Sequence, residues 1–93
     1  MAPRPTLLFF TSERSGPSRR VEGFLAQVLQ RRHNHDTFVV KRIDQQEHPE
    51  LLERFEIDAV PALVLVSGSA VRGRLVVPRG AEEIRTFLAP WLR

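Results

Sequence analysis

An unbroken apolar run, Leu7-Leu8-Phe9-Phe10 between Thr6 and Thr11, is followed by apolar residues at helical spacing and then by a second short apolar run. This succession constrains the fold more than any other feature of the chain. The first run has strand length, with Pro5 before it and the polar Ser12-Glu13-Arg14-Ser15-Gly16 behind it. It does not alternate, which predicts a strand buried on both faces. Val21, Phe24, Leu25, Val28 and Leu29 then fall at i, i+3, i+4, i+7 and i+8, the stripe of an amphipathic helix. Ser15 fits its N-cap and Pro17 its first turn, where a missing N–H costs nothing. The pattern predicts an end near Arg32 to Asn34, with Arg31 and Arg32 at the negative end of the helix dipole. Phe38-Val39-Val40 and Ile43 make the second strand. Strand, helix and strand of these lengths form a βαβ unit with a right-handed crossover, so the two strands are parallel.

Asp44-Gln45-Gln46-Glu47 reads as the start of a second helix, with Pro49 in its first turn and Leu51, Leu52 and Phe55 as a short apolar face. Ala62 to Val66 is rich in β-branched residues and is turned by Ser67-Gly68-Ser69 into Val71 to Val77, which predicts an antiparallel hairpin. Ile84, Phe87, Leu88, Trp91 and Leu92 repeat the helical stripe, with Glu82 and Glu83 in the first turn where the dipole favours acids. The order βαβ, helix, ββα gives a mixed four-stranded sheet in a three-layer α/β sandwich. At 93 residues only one core can be filled, so a single domain is expected over residues 1–93, with 1–5 a leader and 6–92 the core.

Composition excludes several functions. The chain has no cysteine, which removes disulfides, thiolate metal sites and every thiol-based reaction. Its net charge of +3 comes from 14 basic residues, all but Lys41 arginine, interspersed with 11 acidic ones. With no tyrosine, one tryptophan and phenylalanines at core-like spacings, the chain lacks the basic stripe and stacking aromatics of a nucleic-acid binder. No apolar run approaches the ~20 residues of a membrane span, and Leu7 to Phe10 is too short for a signal peptide's apolar segment. A cytoplasmic protein without membrane or nucleic-acid partners is expected. His33-Asn34-His35-Asp36 could be read as metal ligands, but such a run more often forms a polar helix terminus and turn, and no metal or other cofactor is expected.

Three stretches carry a resemblance to the thioredoxin family, and it extends from Thr6 to Leu92. Arg14-Ser15-Gly16-Pro17-Ser18 stands where thioredoxins carry Trp-Cys-Gly-Pro-Cys, with serine at both cysteine positions. Ile43-Asp44-Gln45 before a proline-started helix is similar to the family's second strand and following turn. Phe55-Glu56-Ile57-Asp58-Ala59-Val60-Pro61-Ala62-Leu63 resembles the family's tyrosine-glycine-isoleucine and isoleucine-proline-threonine-leucine stretch, in which the proline is cis and faces the active site. The resemblance implies a thioredoxin-like fold lacking the family's amino-terminal strand and helix. It also implies departures: the family's buried aspartate aligns with Phe9, its two tryptophans with Thr11 and Arg14, and the glycine ending its last strand with Val77.

Disulfide exchange needs one thiolate to attack sulfur and a second thiol to resolve the product. Ser15 and Ser18, at the positions of the family's redox cysteines, cannot do either. Ser15 as a nucleophile of another kind would need a base, and the fold implied by the resemblance is expected to put His33, His35 and His48 at the far end of the sheet. The plainer reading is that Ser15 is an N-cap and Ser18 a small polar residue of the first turn.

What the resemblance leaves is a groove in which the residue before the cis-proline presents its backbone to an extended peptide. Val60 would make those hydrogen bonds, with Arg14, Gly16, Pro17, Ala59 and Pro61 as walls. Arg14, with Arg79 as a second candidate, would favour an acidic protein or peptide partner, unless both arginines are merely solvated. Two functions are consistent with these residues. One is a redox-inactive binding module that uses this groove. The other is a thiol–disulfide oxidoreductase of cell redox homeostasis whose motif cysteine at position 15, 18 or both is replaced by serine. The oligomeric state is left open by the sequence.

Overall fold

The computed structural model describes residues 4–30 and 37–92. The elements run β1 (Thr6–Thr11), α1 (Gly16–Leu29), β2 (Val39–Asp44), α2 (Pro49–Arg54), β3 (Ala62–Ser67), β4 (Ala70–Val76) and α3 (Ala81–Leu88), followed by a short 3-10 turn at Ala89–Trp91. The sheet order is β2-β1-β3-β4, with β1 parallel to β2 and antiparallel to β3, and β3 antiparallel to β4.

The central pair β1 and β3 is buried on both faces, as unalternating apolar strands must be. On one face Leu7, Phe9, Leu63 and Leu65 meet Val21, Leu25 and Val28 of α1 and Ile84 and Leu88 of α3. On the other, Leu8, Phe10, Ala62 and Val64 meet Ile43, Ile57 and the α2 residues Leu51 and Leu52. The Phe10 and Phe55 rings approach there with centroids 5.8 Å apart. The result is three layers, α1 and α3 on one side of the sheet and α2 on the other. Phe9 is a fully interior residue of the α1 side.

Several boundaries differ from the sequence expectation. Helix α1 ends at Leu29, with Gln30 as C-cap, short of Arg32 to Asn34. Leu29 is the last residue of its apolar stripe. Residues 31–36, with Arg31, Arg32 and the His33-Asn34-His35-Asp36 run, lie outside the described residues. Helix α2 begins at Pro49 and not at Asp44, because the Asp44 carboxylate accepts from the Gln46 and Glu47 N–H groups at 2.9 and 3.2 Å and closes a turn first. Strand β4 covers Ala70–Val76, and Val77 leaves it with φ +46°. The terminal stripe is split after Leu88, since Pro90 has no N–H to continue the α-helical ladder. Trp91 and Leu92 still pack against the α1 side of the core.

Candidate functional site

Because β1 and β2 run parallel and β3 antiparallel to β1, four chain segments converge at one end of the sheet. They are the loop after β1, the turn after β2, the approach to β3 and the exit from β4. Thr11 pairs with Asp44, Phe10 with Ala62, and Ala62 with Val76. Ser12 to Ser15, Asp44 to His48, Val60-Pro61 and Val77-Pro78 therefore share that end.

Local hydrogen bonds shape the serine motif. Ser15 has extended φ and ψ of −92° and 123°, and its Oγ accepts from the Ser18 N–H at 3.2 Å, so it is the N-cap of α1. Ser18 is 1% exposed, and its Oγ accepts from the Ser12 N–H at 3.1 Å. The loop is closed further by Ser15 N–H to Ser12 C=O at 3.1 Å. Both hydroxyl oxygens are thus acceptors in the fold of the loop, and the deeper one ties the end of β1 to the first turn of α1.

Asp44 binds the same loop from the β2 side. One carboxylate oxygen accepts from the Glu13 N–H at 3.4 Å while the other holds the turn toward α2. In sequence Asp44 reads only as part of a helix start; its reach to Glu13 across the sheet end depends on the parallel pairing.

Of the three histidines, His33 and His35 lie outside the described residues. His48 corrects the sequence expectation. It stands at the same end of the sheet as the motif, since its N–H donates to the Asp44 carbonyl at 3.0 Å just beyond the parallel partner of β1. It does not serve Ser15, however. Its Nδ1 lies 3.3 Å from Glu50 Oε2, at an exposed position, and Ser15 Oγ is occupied with the Ser18 N–H. Among the described residues no serine hydroxyl is hydrogen-bonded to a histidine or carboxylate that could act as the base nucleophilic catalysis requires. Among the described residues no group of three or more His, Asp or Glu side chains could hold a metal ion.

Across from the serine loop, the Val60–Pro61 peptide bond is cis. Pro61 is buried, and its carbonyl accepts from the Val77 N–H at 2.7 Å, which fixes the exit of β4 beside it. Val60 is half-buried, while Ala59, Arg14, Gly16 and Pro17 are exposed. Among the described residues neither the N–H nor the C=O of Val60 has a hydrogen-bond partner. Val60 thus carries an open backbone donor and acceptor between the exposed Ala59 and the buried Pro61. Besides the predicted walls, the structure brings Arg20 and Phe24 of α1 beside Val77, Pro78 and Arg79. Sequence alone gave no signal for that contact.

A mixed sheet of order β2-β1-β3-β4, with α1 and α3 on one face and α2 on the other and a cis-proline leading into β3, is a thioredoxin fold. The chain belongs to the thioredoxin family, whose model it matches over residues 2–90. Among solved structures it is similar to Trxlp from Edwardsiella tarda, with a TM-score of 0.82 at 14% identity over 97% of this chain and 84% of that one. It is similar also to oxidised thioredoxin O2 from Arabidopsis thaliana, with a TM-score of 0.80 at 15% identity over 97% of this chain and 76% of that one. A mutant thioredoxin from Halobacterium salinarum gives a TM-score of 0.79 at 18% identity, covering 96% and 75% of the two chains. Comparison with curated proteins by sequence gives no match. Among the described residues no helix is long and apolar enough to cross a membrane.

Proposed function

We propose that this protein is a redox-inactive, cytoplasmic member of its family that binds an extended segment of a partner protein along the Val60–Pro61 edge. The observation that carries the reading is the contrast between the two sides of the site. On the serine side, Ser18 Oγ is buried and spent on the Ser12 N–H, and the chain has no cysteine thiol to react. On the proline side, the Val60 N–H and C=O have no partner among the described residues. Two main-chain hydrogen bonds to one residue give a short form of strand addition, and the exposed Ala59, Gly16 and Pro17 leave room for the side chains of a bound segment.

The test is to pan a phage-displayed random-peptide library on the protein and map the selected peptides on the isotope-labelled chain. The reading expects the Val60 and Val77 amide signals to move, and Ala59→Arg to abolish capture. Failure to enrich any peptide, or capture that Ala59→Arg leaves intact, overturns it.

The second reading, an oxidoreductase with serine in place of cysteine, is favoured by one observation: Ser15 sits at the N-cap of a fourteen-residue helix, where a thiolate would be stabilised by the dipole and the first-turn N–H groups. A cysteine codon at position 15, 18 or both of the genomic locus would establish it, and serine codons at both would remove it.

A further inference from the structure

Pro17, Arg20 and Phe24 are spaced i, i+3 and i+7 on α1, so they share one face of the helix. That face forms one wall of a cleft of about 360 Å³ whose other wall is Val77, Pro78 and Arg79, the exit from β4. Four of these six residues are apolar, and the two that are not are both arginines, one on each wall.

The charge of this cleft is not balanced from within. Arg42 pairs with Glu22 at 2.6 Å, Arg74 with Glu56 at 3.8 Å, and Arg85 with Glu82 on its own helix. Arg20 and Arg79 have no acidic side chain on their guanidinium groups among the described residues. The nearest carboxylate that the structure ties to either residue is that of Glu83, and it is engaged by the Arg79 backbone N–H at 3.1 Å as part of the start of α3. The cleft is also continuous with the edge described above, since Pro17 belongs to both and the Val77 N–H is bonded to the Pro61 carbonyl.

We propose that this cleft is the specificity pocket of the binding edge, and that it takes a segment of a partner protein in which an apolar side chain stands beside an Asp or Glu. The apolar side chain lies against Pro17, Phe24, Val77 and Pro78, where it leaves water, and the carboxylate is shared between Arg20 and Arg79 through charge-assisted hydrogen bonds. The pairs are at the rim and partly solvated, so their contribution is to choice of partner and rate of encounter more than to raw affinity. This inference rests on the reading of Val60 as the strand-pairing residue, and its test separates the two.

Synthetic peptides from the library selection are compared with versions in which each Asp or Glu is changed to Asn or Gln. Binding is measured by fluorescence anisotropy to the intact protein, to Arg20→Gln/Arg79→Gln and to Ala59→Arg. Neutralising either the peptide's acid or the two arginines is expected to weaken binding about tenfold, as two exposed charge pairs allow, and the two losses are not additive. The loss is expected to shrink when added salt shortens the Debye length from about 10 Å to about 3 Å. Peptides that Ala59→Arg abolishes but that show no acidic preference and no loss with the arginine variant overturn the cleft while leaving the edge. Acidic peptides lost with the arginine variant but kept by Ala59→Arg overturn the edge, and with it the cleft's role as the edge's specificity pocket. No binding by any peptide overturns both.

Discussion

The backbone N–H of Ile57 donates to the carbonyl of Leu52 at 2.8 Å, and the residue just before Ile57, Glu56, holds φ +56°. With the Glu56 N–H to Glu53 C=O bond at 3.1 Å, this is the paired closure of a helix end that turns through one left-handed residue. Glycine serves that position without a Cβ penalty, and here it is glutamate. The exposed Glu56 side chain offers little in return, its one ion pair being the 3.8 Å contact with Arg74. Glu56→Gly is therefore expected to stabilise the protein by about 1 kcal/mol, seen as a thermal midpoint higher by about 4–8 °C. An unchanged or lower midpoint would contradict the argument.

Val77, at φ +46°, is the other non-glycine residue with positive φ among those described, and it is β-branched, which makes the left-handed region more costly still. Its neighbour Val76 is an ordinary strand residue of similar exposure, 50% against 41%. Removing either side chain forfeits comparable burial and adds comparable freedom to the unfolded chain, so the comparison isolates the backbone. Val77→Gly is expected to be more stable than Val76→Gly by about 1–2 kcal/mol in urea titration. Equal stabilities would show that the left-handed turn carries no cost.

Asp44 holds three backbone N–H groups on its carboxylate, Glu13 from the motif loop and Gln46 and Glu47 from its own turn. Asp44→Ala is expected to cost about 2 kcal/mol, because charge-assisted bonds are lost together. Hydrogen exchange distinguishes this from general weakening: the Gln46 and Glu47 amides should lose protection while the β1–β3 ladder keeps its own. Uniform loss across the sheet would assign Asp44 no particular role at the site.

The architecture was legible in the sequence because each element carried its own periodicity. Leu7 to Phe10 showed no alternation and is buried on both faces, and the stripes beginning at Val21 and Ile84 became the α1 and α3 sides of one core. Element ends were less legible where a side chain competed with the backbone ladder, as Asp44 does before α2, or where a ring removed a donor, as Pro90 does after α3. The left-handed backbone at Glu56 and Val77 could not be read from residue type, since neither residue prefers it. The resemblance to a glycine-bearing family was the one hint. The serines were read as a cap and a first-turn residue, and Ser15 is a cap; that Ser18 Oγ is buried and bonded to Ser12 needed the loop's closed shape. The side of the sheet on which His48 stands follows from β1 and β2 running parallel, which brings the end of β2 beside the end of β1. That Arg20 and Arg79 line one cleft is out of reach of the sequence, since it brings a helix face beside a loop far along the chain.

Ser18 gives the sharpest test of how the serine motif is used. Its Oγ is the partner of the Ser12 N–H, and Ser12 is itself buried at the end of β1. Ser18→Ala removes the acceptor and leaves that N–H without one in a place that water does not freely reach, which is expected to cost about 1–3 kcal/mol. Ser15→Ala removes only an N-cap bond at a half-exposed position and is expected to cost about 1 kcal/mol. Urea titration of the two variants should therefore rank Ser18→Ala as the more damaging. Hydrogen exchange should show the Ser12 amide exposed in that variant alone. If Ser18→Ala is neutral and the Ser12 amide stays protected, the hydroxyl is not what holds the end of β1 to the helix.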